Sequence, residues 1–292
     1  MPAFSLQEEP DPFSLVYTMA KVWERAMKIA IAQMQCSLGE VSANCSKIPL
    51  FARQAKEQGC GLIVFPEMID TGYEMGTVVR EASSWDGMPF EMAKRAAADS
   101  AISLVCGLSE REGERIYNSV AAFDPAGKLI GKYRKVHLLS FDPVNEDRYL
   151  AAGDSLATVD IGGMKWGLLI CYDLRFPEMA RHLMRKGCEG LIACAAWPAA
   201  REAHWKALTV ARAIENQCYV IAANRVGSDG PLTFCGSSLV LDPFGSVVDS
   251  GLAQREELII GEITPEAVLS LRSRLPILKD RRDDLYARWA SD

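Results

Sequence analysis

Two rhythms of apolar and polar positions alternate along this chain. Short runs rich in Val, Ile and Leu recur at 28–34, 61–65, 102–108, 118–123 and 128–133, then at 156–161, 164–170, 190–195, 218–223, 237–241 and 257–263. Each has the length and content of a β-strand. Between them, 44–58, 89–99, 178–186, 203–216 and 265–272 place apolar residues at helical spacing. The alternation predicts a layered α/β protein. The turns Asp124-Pro-Ala-Gly127 and Asp242-Pro-Phe-Gly245 each join strand-like runs, so antiparallel hairpins are mixed into the βα pattern, unlike a purely parallel barrel. The repeated Asp-Pro-x-Gly raises the idea of a duplicated half, for which no other self-similarity speaks.

Composition narrows the class. A chain of 292 residues, 49% hydrophobic and 24% charged, can bury a large core and has no disordered or fibrous bias. No linker or composition shift interrupts 28–275, so residues 27–292 read as one domain. Residues 1–26 read as an extension ahead of it. Glu8, Glu9 and Asp11 precede a modest apolar run at 13–20, with neither a basic start nor a cleavage signal, and the run is too short to cross a bilayer. The net charge of −6 argues against nucleic-acid or anionic-membrane partners, and the one basic cluster, Lys279, Arg281 and Arg282, is interleaved with Asp280, Asp283 and Asp284. Nine cysteines, an odd set of which several lie within apolar runs, fit reduced core residues of a cytoplasmic protein. With no C-x-x-C pair and three histidines, a metal site has little support, and no cofactor is implied.

Reactive residues gather at strand ends, where open α/β sheets place their sites. Phe65-Pro-Glu67 follows one apolar run, Lys135 and His137 follow another, and the run 164–170 delivers Cys171 just before a helix. Singly, each is ordinary: a solvated glutamate, a surface lysine, a small buried thiol. Cys171 stands out because Asp173, Arg175 and Glu178 crowd the positions after it, and because a helix N-terminus favours thiolate. Carboxylate, ammonium and thiol form a chemically complete set for a cysteine hydrolase: base, oxyanion stabiliser and nucleophile. No G-x-S-x-G elbow occurs for a serine hydrolase, and no glycine-rich phosphate loop follows the first strand.

Taken in order, Phe-Pro-Glu67, Lys135-Val-His-Leu and Cys171-Tyr-Asp-Leu-Arg-Phe-Pro-Glu resemble the three signature blocks of the nitrilase (carbon-nitrogen hydrolase) superfamily. The resemblance extends from Met27 to about Tyr286. It implies a four-layer α-β-β-α sandwich, pairing as a homodimer or larger assembly. It also implies roles: Cys171 as nucleophile, Glu67 as general base, Lys135 as the cation beside the oxyanion with the Tyr172 backbone N–H, and Glu146 as a second glutamate near the lysine.

The Cys-Tyr-Asp block, with Ala196-Trp-Pro198 and 223–230, is most similar to bacterial omega-amidases, which release ammonia from the terminal amide of short carboxylates such as 2-oxoglutaramate or succinamate. Other carbon-nitrogen hydrolases (N-carbamoyl amidohydrolases, other aliphatic amidases, nitrilases) are the alternative, and a non-catalytic binding protein on the same fold a further one. A substrate carboxylate needs a cation, for which Arg175 is a candidate unless it pairs with Asp173 or Glu178. Tyr73, Phe141, Tyr172 and Trp197 are candidate pocket residues, although aromatics at such positions also fill cores.

Overall fold

Every strand-like run of the sequence lies in one of two six-stranded sheets. The computed structural model describes residues 26–290, so the extension read over 1–26 lies, but for its last position, outside the described residues. The elements are β1 (Met27–Gln33), α1 (Val41–Glu57), β2 (Leu62–Val64), α2 (Met75–Glu81), α3 (Met88–Ser100), β3 (Ser103–Glu112), β4 (Arg115–Phe123) and β5 (Leu129–Arg134). There follow β6 (Thr158–Ile161), β7 (Met164–Ile170), α4 (Pro177–Arg185), β8 (Gly190–Ala195), α5 (Glu202–Asn216), β9 (Tyr219–Asn224), β10 (Ser228–Asp229) and β11 (Leu232–Thr233). The chain closes with β12 (Leu239–Leu241), β13 (Val247–Ser250), β14 (Glu257–Ile263), α6 (Pro265–Arg274) and α7 (Asp283–Trp289).

The first sheet has the order β14-β1-β2-β3-β4-β5 and the second β13-β12-β9-β8-β7-β6. In each, three central strands run parallel and the flanking strands antiparallel. The central runs are continuously apolar because both faces are covered. Ile29, Ile31, Leu62, Val64 and Val105 belong to the same buried cluster as Trp166, Leu168, Leu191 and Ile221 of the second sheet. At Gly261 the sheets approach so closely that a Cβ there would lie 2.9 Å from Val240 Cγ1. The alternate residues Ala30, Ala32, Ile63 and Leu104 pack outward on Ile48, Ala52 and Ala55 of α1 and Phe90 and Ala93 of α3. On the other side Leu183 of α4 lies over Gly167 of β7, and α5 covers β9 and β12. The layers are therefore helix, sheet, sheet, helix.

The two Asp-Pro-x-Gly turns occupy matching places. Asp124 closes β4 onto β5 and Asp242 closes β12 onto β13, each accepting two backbone N–H bonds at Oδ1. Each half reads strand, helix, strand, helix, strand and then a hairpin. The strand after each hairpin crosses over: β6 joins the second sheet beside β7, and β14 returns to the first beside β1.

Some elements differ from the sequence reading. Helix α1 starts at Val41, three residues before the periodic segment, because Asn44 turns inward to bond Ser37 and the Asp70 carbonyl. Helix α2 escapes the reading because its short sequence carries the β-branched Thr77, Val78 and Val79, and β13 because it is an exposed edge.

Candidate active site

Three strand ends meet between the sheets. The chain leaves β2 through Pro66, which cannot continue the ladder, and Met68 turns it in the left-handed region at φ 45°. This loop lies so close to β3 that a Cβ on Gly107 would sit 2.4 Å from the Pro66 carbonyl oxygen and 2.7 Å from Glu67 Cα, so only glycine fits there. Lys135 follows β5 and is held in register by its N–H on the Asn118 carbonyl at 2.8 Å. Cys171 leaves β7 at φ 44°, a left-handed position that costs a non-glycine residue roughly 1–2 kcal/mol, and opens the short 3-10 turn Cys171–Arg175. Glu146 comes from the loop after β5, its Oε2 accepting the Leu139 N–H at 2.9 Å.

Lys135 Nζ donates to Glu67 Oε1 at 3.0 Å and to Glu146 Oε1 at 2.8 Å, with all three side chains fully buried. Glu67 Oε2 accepts the Ala196 N–H at 2.7 Å, and the Tyr73 hydroxyl donates to Glu146 Oε1 at 2.8 Å. Two buried carboxylates around one ammonium leave a net negative charge beside the Cys171 thiol, a constellation that persists only because nearly every polar atom has a partner.

These charges set the protonation states. Burial pushes the Cys171 thiol well above its ordinary value, the Glu67 carboxylate adds to this, and Lys135 opposes it. This departs from the expectation of a thiolate favoured by a helix N-terminus, because burial, and after it the carboxylates, outweigh any such effect and a 3-10 turn separates Cys171 from α4. Burial also raises Glu67, against the pull of Lys135 and with the push of Glu146. For Lys135 burial acts downward, yet Glu146 and Glu67 hold the ammonium above its ordinary range. Both shifts favour a neutral thiol next to a carboxylate whose proton affinity burial has raised, the direction a general base needs.

Cys171 forms part of the wall of a cavity of about 170 Å³ together with Tyr73, Phe141, Tyr172, Arg175 and Trp197, so every pocket residue expected from the sequence borders one space. Arg175 pairs with neither Asp173 nor Glu178. Its guanidinium lies 4.8 Å from the Trp197 ring centre and 5.9 Å from that of Tyr172. Arg201, which sequence reasoning missed, borders the same cavity with its guanidinium 4.8 Å from the Phe141 ring centre. Neither arginine forms an ion pair among the described residues, and burial together with Arg201 lowers the pKa of Arg175. Asn118 was also missed, lying within an apolar run with no motif around it. No cluster of metal-ligating side chains occurs among the described residues.

Comparison with known proteins bears on this geometry. The carbon-nitrogen hydrolase family model matches residues 28–273. A 2-oxoglutaramate amidase of Bacillus subtilis is 35% identical over 266 residues, covering 88% of this chain and 98% of that one. The mouse omega-amidase NIT2 is 32% identical over 267 residues, 89% of this chain and 96% of its own. Among solved structures, Saccharomyces cerevisiae Nit3 superposes with a TM-score of 0.81 at 31% identity, over 90% of this chain and 99% of that one. A mutant of the amidase from Nesterenkonia sp. AN1, with the acetamide moiety of fluoroacetamide added covalently at its active-site cysteine, superposes with a TM-score of 0.80 at 27% identity, over 90% of this chain and 97% of that one. The family match spans both sheets and all three strand ends, and the chain belongs to the carbon-nitrogen hydrolase family.

Proposed function

We propose that this protein is an omega-amidase that hydrolyses the terminal carboxamide of a short carboxylate, of the succinamate or 2-oxoglutaramate kind, through a Cys171 thioester. Glu67 accepts the thiol proton as sulfur attacks the amide carbon. Lys135 and the Tyr172 backbone N–H hold the oxyanion. The proton returns from Glu67 to the departing nitrogen and ammonia leaves, after which Glu67 draws a proton from water to hydrolyse the thioester. Glu146 keeps Lys135 charged and in place.

The observation that carries the choice of substrate is the pair of guanidiniums, Arg175 and Arg201, bordering the Cys171 cavity without carboxylate partners. Like charges crowded together without an anion favour a ligand that brings one, and guanidiniums grip carboxylates bidentately. The names of the bacterial and mouse relatives point to the same substrate class. Purified protein incubated with succinamate or 2-oxoglutaramate is expected to release ammonia, and Cys171→Ala to abolish it. Ammonia only from nitriles or N-carbamoyl compounds would replace this reading with another member of the family. Pairing as a homodimer and a cytoplasmic location belong to the same proposal, and light scattering and cell fractionation test them.

A further inference from the structure

We propose that Asn118 is a positioning residue of the reaction, a neutral donor placed between the two carboxylates that fixes Glu67 toward Cys171 and keeps it ionised as base. The inference rests on the amidase reading. Asn118 sits on β4, fully buried, and its Nδ2 donates to Glu67 Oε1 at 2.6 Å and to Glu146 Oε1 at 3.3 Å. Its backbone carbonyl takes the Lys135 N–H at 2.8 Å. One residue on one strand thus touches three members of the charged cluster.

Two features separate this from ordinary packing. Asn118 Oδ1 is buried without a hydrogen-bond partner, as is Asn216 Oδ1, but Asn118 alone of the two is held through a donor end aimed at two carboxylates. Rotating the amide would leave a carbonyl oxygen facing the Glu67 carboxylate at the same short separation, so the donor face is the one the carboxylates select. The second feature is the charge arrangement. With one ammonium for two carboxylates, Lys135 neutralises only half of the negative charge, and Asn118 supplies further N–H groups without adding a cation that would hold the thiolate too tightly. The groups facing Glu67 are Lys135, Glu146, Tyr73, Cys171 and Cys194, and Lys135 is the one cation among them. Loss of the Asn118 donor leaves Lys135 and the Ala196 N–H to oppose burial, so the proton affinity of Glu67 rises.

The test uses Asn118→Leu, similar in volume but without donors, and the pH dependence of two rates. One is kcat/KM for succinamate. The other is alkylation of Cys171 by iodoacetamide, followed at the Cys171 peptide by mass spectrometry. The acid limb of both profiles is expected to move up by roughly 1–2 pH units, since a hydrogen bond to a charged group is worth about that much. At neutral pH kcat should fall at least tenfold, with KM little changed. A profile with an unmoved acid limb and only uniformly lower rates would overturn the proposal. If Asn118→Leu does not fold, Asn118→Ala, smaller and equally without donors, carries the same test and is expected to move the limb in the same direction. Failure of the amidase reading is distinguishable, because wild-type protein would then release no ammonia while the alkylation profiles still differ.

Discussion

Asp173 and His137 are joined twice: the His137 backbone N–H at 3.1 Å and its ring Nδ1 at 2.8 Å both meet Asp173 Oδ1. The other oxygen of Asp173 accepts the Tyr133 hydroxyl at 2.7 Å and the Ile170 N–H at 2.9 Å. Tyr133 and His137 flank Lys135 by two residues on either side, and Asp173 lies two beyond Cys171. One buried carboxylate therefore staples the nucleophile turn to the lysine segment. Asp173→Asn, which turns a donor against at least one of these donors, is expected to lower kcat by about 10–100-fold through small displacements, with KM changed far less. Steady-state kinetics with a circular-dichroism check of folding decides it, and an unchanged kcat would show that the staple does not set the spacing.

Gly107 sets the other distance. Because a Cβ there collides with backbone atoms of Pro66 and Glu67, Gly107→Ala must push the Glu67 loop aside. Overpacking of this kind costs about 1–3 kcal/mol of stability. Denaturant unfolding should show that loss, together with a fall in kcat of about tenfold or more.

Arg175 and Arg201 are expected to govern affinity for the anionic end of the substrate. Arg175→Met or Arg201→Met should raise KM for succinamate by about 10–100-fold, the worth of a charge-assisted hydrogen bond, while leaving a neutral amide such as butyramide nearly unaffected. Equal losses on both substrates would assign the arginines to structure instead.

Asp70, three residues beyond Glu67, is fully buried, and burial raises its pKa to about 6 despite backbone N–H bonds from Ser109. An unfolded aspartate ionises near 3.9, so the folded state gains from holding this proton at low pH. That gain is complete below about pH 4 and lost as pH climbs through 6, a swing on the order of 3 kcal/mol. Asp70→Asn cannot titrate. Its melting temperature relative to wild type should therefore improve steadily between pH 4 and pH 7, and a pH-independent difference would contradict the assignment.

The strands and the longer helices were legible because burial on both faces writes continuous apolar runs, and glycine-proline turns mark their ends. The three reactive residues were legible as a set because each follows such a run. Asn118 was not, since one polar residue inside an apolar strand carries no signal until its neighbours across the sheet are known. Arg201 was hidden for a similar reason: it opens a helix, where arginine is unremarkable, and only the aromatic wall formed with Phe141 gives it a role. The staple at Asp173 falls between these cases. The charged crowding after Cys171 was visible, while its grip on His137 depends on two distant segments meeting.

The crossing of β6 and β14 has a further meaning. Each half lends its last strand to complete the other's sheet, so neither can leave its place without stripping an edge from its neighbour. The base and the lysine come from one half and the sulfur from the other. Interlocking the halves ties the distance between acid and thiol to the packing of both sheets, so any parting of the two lobes has to break strand pairing at two sheet edges.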